Sequence, residues 1–208
     1  MDKFKFILLI IVILSAGEAF AGYEKLAKSN YEKTKIEKAV VLYGVNWGRR
    51  WGCAGFENAQ LQGLTFSRID AASKNIDGEA IVLNNPAKLL AQNVSSAYAI
   101  IANPGEYALT GFDVKIAKSV TEIGHLKVKG KDLFENGKPV GGTFKVNAGE
   151  IVYIGEFGLD CAYEPIPWRY YIQKEDFESY VAGFKEKYKF ITGKQVIYRL
   201  FQTNKFGQ

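Results

Sequence analysis

From Ala39 to Gln173 the chain is a succession of short runs rich in β-branched and aromatic residues, punctuated by Gly-, Asn- and Pro-containing turns. The first and strongest is Ala39-Val40-Val41-Leu42-Tyr43-Gly44-Val45; others cover 61–69, 80–83, 97–102, 107–116, 126–128, 143–146, 151–156 and 169–173. Many short strands with such turns favour an antiparallel sandwich or barrel over a parallel α/β sheet. The pattern predicts a mainly β fold, an antiparallel β-sandwich. Between Leu133-Phe134 and Val140 the pair Asn136-Gly137 marks a tight hairpin. The Gly-rich stretch 46–55 reads as a loop.

The period changes near the C-terminus. Phe177, Val181, Phe184 and Tyr188 follow one another at i, i+4, i+7 and i+11, which predicts one amphipathic helix over 174–189. Acids at its start (Glu175, Asp176) and lysines at its end (Lys185, Lys187, Lys189) suit the helix dipole. Gly193 stops it, and 196–201 reads as a last strand. Before the first strand, 22–38 is a charged arm, partly helical, leading into one domain over 39–208.

Composition fits that single domain. The 208 residues are 48% hydrophobic, 14% aromatic and 24% charged, which excludes a disordered tail or a coiled coil. The N-terminus has a short basic start, an uninterrupted apolar run from Phe6 to Leu14, and Ala19-Phe20-Ala21 before Gly22. These features predict a signal peptide over 1–21, an exported protein, and no stable membrane insertion after cleavage. Leu14-Ser15-Ala16-Gly17 approaches a lipoprotein box, but Glu18 stands where a lipid-bearing Cys is required. The leader's charges balance, so the remainder keeps the net +5. That modest charge, with export, argues against a nucleic-acid partner.

Two cysteines, Cys53 and Cys161, suggest one disulfide in an oxidising compartment. Such a bridge would close a loop of about 108 residues, for which the chain-entropy account gives on the order of 4.7 kcal/mol.

Asn103-Pro104-Gly105-Glu106 and Asn147-Ala148-Gly149-Glu150 echo one another, each between two β runs and each expected to form a hairpin within one sheet system. Together with Thr143–Gly155, these residues resemble bacterial periplasmic and lipoprotein β-sandwich families of unknown function. The likeness spans Ala97 to Gly158 and reaches toward the closing helix. It implies a binding or envelope-associated module and brings no defined chemistry; the missing lipobox Cys departs from the lipoprotein members.

Two chemistries compete for the remaining signals. Trp51-Gly52-Cys53-Ala54-Gly55-Phe56 bears a distant resemblance to the nucleophile segment of cell-wall cysteine peptidases, and His125 is the sole histidine. A thiol–imidazole pair would make Cys53 and His125 catalytic. The other signal is aromatic and cationic: Trp47, Arg49, Arg50 and Trp51 on one side of Cys53, with Trp168, Arg169 and Tyr170 beyond Cys161. A Cys53–Cys161 bridge would gather both groups at one end, a composition typical of interaction hot spots. Packing of the tryptophans as a plug is the plainer alternative. No metal or cofactor is expected, since no ligand spacing or phosphate-loop motif occurs. The sequence therefore points to an exported, non-enzymatic binding protein whose partner is an envelope component or another protein. A cell-wall cysteine hydrolase is the alternative.

Overall fold

The computed structural model describes residues 23–86, 95–169 and 174–202. The leader expected over 1–21 and Tyr170 lie outside them. In chain order the elements are β1 (Glu24–Lys25), α1 (Lys28–Thr34), β2 (Ala39–Asn46), β3 (Arg50–Cys53), β4 (Phe56–Ile69), β5 (Ile76–Asn84), β6 (Ser95–Ala102) and β7 (Gly105–Ala117). They continue with β8 (Ile123–Lys129), β9 (Phe134–Glu135), β10 (Lys138–Pro139), β11 (Thr143–Val146), β12 (Ile151–Asp160), β13 (Ile166–Arg169), α2 (Lys174–Lys187) and β14 (Ile197–Tyr198).

Two six-stranded sheets face one another, giving the β-sandwich that the strand pattern predicts. The first runs β1-β6-β2-β12-β13, with β14 also on β12; the second runs β11-β7-β4-β3, with β5 beside β4 and β8 beside β7. Pairing is mostly antiparallel, but β12 lies parallel to both β2 and β14.

Side-chain parity explains the layers. Ala39, Val41, Tyr43 and Val45 of β2 enter the core between the sheets, where they meet Leu61, Phe66, Phe112, Val152 and Phe157. Val40 and Leu42 point the other way, into a second core with Phe177, Val181 and Phe184 of α2 and with Tyr31 of α1. β2 is thus buried on both faces, which is why its sequence is continuously apolar where half-exposed strands alternate. The expected helical stripe seals this outer face. The segment before β2 also packs: Leu26 and Tyr31 are buried, and β1 pairs with β6. Both α-helices therefore cover one sheet, called here the covered sheet; the other is the open sheet.

Two local features differ from the sequence expectation. The 46–55 stretch is not all loop, because β3 pairs with the start of β4 around Ala54 and Gly55, both at positive φ (50° and 81°). Alanine seldom takes that conformation, so the turn carries no usual signature. The Asn136-Gly137 hairpin is as expected, with φ of 51° and 73° joining β9 to β10. The two Asn-x-Gly-Glu segments, however, are not hairpins of one sheet. Asn103-Pro104 carries the chain from β6 in the covered sheet to β7 in the open one, and 147–150 carries it back from β11 to β12. The two corners sit side by side, since Val146 pairs with Gly105. They are also held differently. Glu150 accepts hydrogen bonds from the Asn147 amide and backbone and from Arg199, whose guanidinium holds its carboxyl down to about 2. Asn103 is held instead by Glu79 of β5, which also accepts from the Tyr107 hydroxyl at 2.9 Å.

A bulge in β12 separates its two halves. Tyr153 pairs with Leu42 and Gly155 with Tyr43, so one residue is extra. Val152 and Ile154 face the inter-sheet core before it, Phe157 and Leu159 after it. Without the extra residue Glu156 would point inward. Gly155 has φ +114°, and an added Cβ would lie 2.6 Å from Cδ of the buried Arg169. Gly155→Ala is expected to lower unfolding stability by about 1–3 kcal/mol, measured by urea denaturation.

Candidate functional site

The expected disulfide is formed. Cys53, fully buried at the end of β3, is bonded to Cys161 just beyond β12, with Cα atoms 4.7 Å apart. The bridge ties the open sheet to the covered sheet at one end of the sandwich. In this form Cys53 has no thiol. His125 stands on the exposed outer side of β8, sharing a 2.7 Å hydrogen bond with Asp113. The structure therefore does not assemble the alternative Cys53–His125 pair: one member is sealed in a bridge inside the core, and the other faces outward.

The aromatic and cationic residues divide sharply by burial. Trp47 is fully buried; its indole N–H donates to the Tyr98 hydroxyl at 2.9 Å, and its carbonyl accepts from the Gln60 amide at 3.0 Å. Tyr98 in turn stacks on Tyr43 with ring centroids 5.3 Å apart. Trp47 is a plug. Trp168 and Arg169 of β13 are also buried, and Arg169 Nε donates to the Phe201 carbonyl at 2.9 Å. Trp51, by contrast, is 65% exposed, with the Arg49 guanidinium 5.4 Å from its ring centroid. Arg50 is exposed beside it. Of the described residues in the surface that the sequence suggested, Arg49, Arg50 and Trp51 are exposed.

These three residues adjoin a feature not apparent from sequence. Register places Trp51, Asn58, Ala117 and Ile123 in one row across β3, β4, β7 and β8. The next row along the strands is Gln60, Lys115 and His125. Large side chains at the two ends of the first row and small Ala117 between them leave a groove of about 230 Å³, lined also by Arg49, Glu57 and Lys115. Val120, 87% exposed on the β7–β8 turn, stands at its rim. Among the described residues neither Arg49 nor Lys115 has a carboxylate within ion-pair distance. An exposed indole, amide side chains and uncompensated cations can stack a ring or apolar face, exchange hydrogen bonds and hold an anion.

A second group has altered chemistry. The bulge turns Glu156 onto the outer face of the covered sheet, where its carboxyl fills the space that a side chain on Gly44 would take. The Tyr153 hydroxyl donates to it at 3.0 Å. Burial raises its pKa to about 7, against the lowering effect of that hydrogen bond. Burial, together with the same carboxylate, keeps Tyr153 well above the ordinary tyrosine range. Glu156 therefore exchanges its proton near neutrality while packed beneath the helix layer. The sequence signal was the spacing: apolar residues two apart through Ile154, then a three-residue step to Phe157.

Two tests follow from this geometry. Alkylation and intact mass should find no free thiol until reductant is added, and the Cys53→Ser/Cys161→Ser variant should lose about 2–5 kcal/mol of stability. For Glu156, the folded state holds its proton to higher pH than the unfolded chain, so stability falls as pH rises from about 4.5 to about 7. Glu156→Gln should thus stabilise the fold at pH 8 by up to roughly 3 kcal/mol and leave it unchanged near pH 4, read from urea titrations. Compared with known protein families, with curated proteins and with solved structures, the chain matches none of them.

Proposed function

We propose that this protein is an exported, non-enzymatic binding module of the cell envelope or the secreted space, with the Trp51 groove as its contact surface. The observation that carries the reading is the contrast between tryptophans. Trp47 and Trp168 are buried, whereas Trp51 is left in solvent beside two cations that lack carboxylate partners. An indole so exposed forgoes on the order of 1–2 kcal/mol of burial, a cost that a binding partner can recover. The leader pattern over 1–21 supports export, and the disulfide is compatible with an oxidising compartment. Among the described residues no helix is long and apolar enough to cross a membrane. The partner is an envelope component or a protein docked on the open sheet, away from the helix-covered face.

Trp51→Ala and Arg49→Ala should each retain the circular dichroism and melting temperature of the parent, because both side chains lie outside the two cores. Each should lose retention on native envelope fractions by about tenfold or more. Full retention by a folded Trp51→Ala variant would defeat the proposal.

A further inference from the structure

We infer that the Trp51 groove takes an acidic saccharide, with a sugar ring against the indole and its carboxylate between Arg49 and Lys115. The inference rests on the reading of this groove as the contact surface and adds the chemical class of its occupant.

Shape comes first. The row Trp51-Asn58-Ala117-Ile123 spans four strands, roughly 14 Å at ordinary strand spacing. Its ends are apolar, with Asn58 and Ala117 between them, an open trough wider than a single pyranose ring. A pyranose has C–H faces that pack on an indole or an aliphatic wall and a rim of hydroxyls that both donate and accept. Asn58 matches that rim, since its amide carries both functions, and Gln60, one of whose amide N–H groups donates to the Trp47 carbonyl, adds its carbonyl oxygen.

Charge then narrows the class. Arg49 and Lys115 line the trough without ion-pair partners among the described residues, against the single acid Glu57. A neutral sugar would leave two cations uncompensated; a carboxylated one places its anion between them. The Arg49 guanidinium offers the planar fork that pairs with a carboxylate through two parallel hydrogen bonds. It also lies over the Trp51 ring, which sets the anion site next to the stacking site. An anionic bilayer fits less well. The β7–β8 turn that would enter it carries Glu122, paired with Lys118, and Glu57 stands at the groove.

The test uses the full exported chain and three variants: Trp51→Ala, Arg49→Gln and Lys115→Gln. Calorimetry is run with a panel of galacturonate, glucuronate and mannuronate oligosaccharides, with their carboxyl-reduced neutral counterparts, and with phosphatidylglycerol vesicles. At least one acidic oligosaccharide should bind about tenfold or more tightly than its neutral counterpart. Trp51→Ala should weaken binding of both forms, whereas the Gln variants should remove the preference for the acid and its salt dependence. Failure of every acidic oligosaccharide, equal binding of neutral counterparts, or binding to vesicles alone overturns the inference. If Trp51→Ala still loses envelope retention in that case, the contact surface stands and only the saccharide falls. If retention is also intact, both fall.

Discussion

Burial of β2 on both faces is the constraint from which the remaining layout follows. A strand that is apolar on each side needs a sheet opposite and a cover behind. Here the open sheet supplies the first, and α1, α2 and the segment around Leu26 supply the second. Because both α-helices among the described residues lie on one sheet, neither of them covers the Trp51 end of the other. Its cross-strand rows at the Trp51 end can then differ in side-chain size without cost to the core. The groove is thus a product of asymmetric covering.

The disulfide refines this arrangement. It fastens the end of β3, an edge strand of four residues, to the exit of β12 in the opposite sheet. An edge strand this short has little pairing of its own, and Trp51 lies two residues before the bridged cysteine. The position of the exposed indole is therefore set by a covalent link in addition to three register pairs with β4. The other end of the sandwich is held electrostatically: Arg68 contacts Asp77 and Glu79, and Arg199 grips Glu150.

Most of the strands and the amphipathic helix were legible because β-branched runs and a 3.6-residue stripe report backbone period directly. What period cannot report is which sheet a strand joins. The Asn-x-Gly-Glu segments announce a reversal, since Gly149 takes φ +77°, but the same glycine serves a hairpin or a corner between sheets. β3 escaped notice because its turn uses Ala54. Trp47 and Trp51 look equivalent in sequence. Only the register of β3 on β4, and the Tyr98 hydroxyl waiting in the interior, make one a plug and the other a surface. Glu156 was hidden for a related reason: a single extra residue in β12 decides which way it faces.

The covalent link between Cys53 and Cys161 has a consequence for resistance to proteolysis. It encloses most of the open sheet, with the β7–β8 turn and the separate β9–β10 hairpin at Asn136-Gly137, within one loop of chain. A protease that cuts at any of those exposed turns releases no fragment. The nicked molecule keeps both halves in one covalent body, with each strand still seated in its sheet.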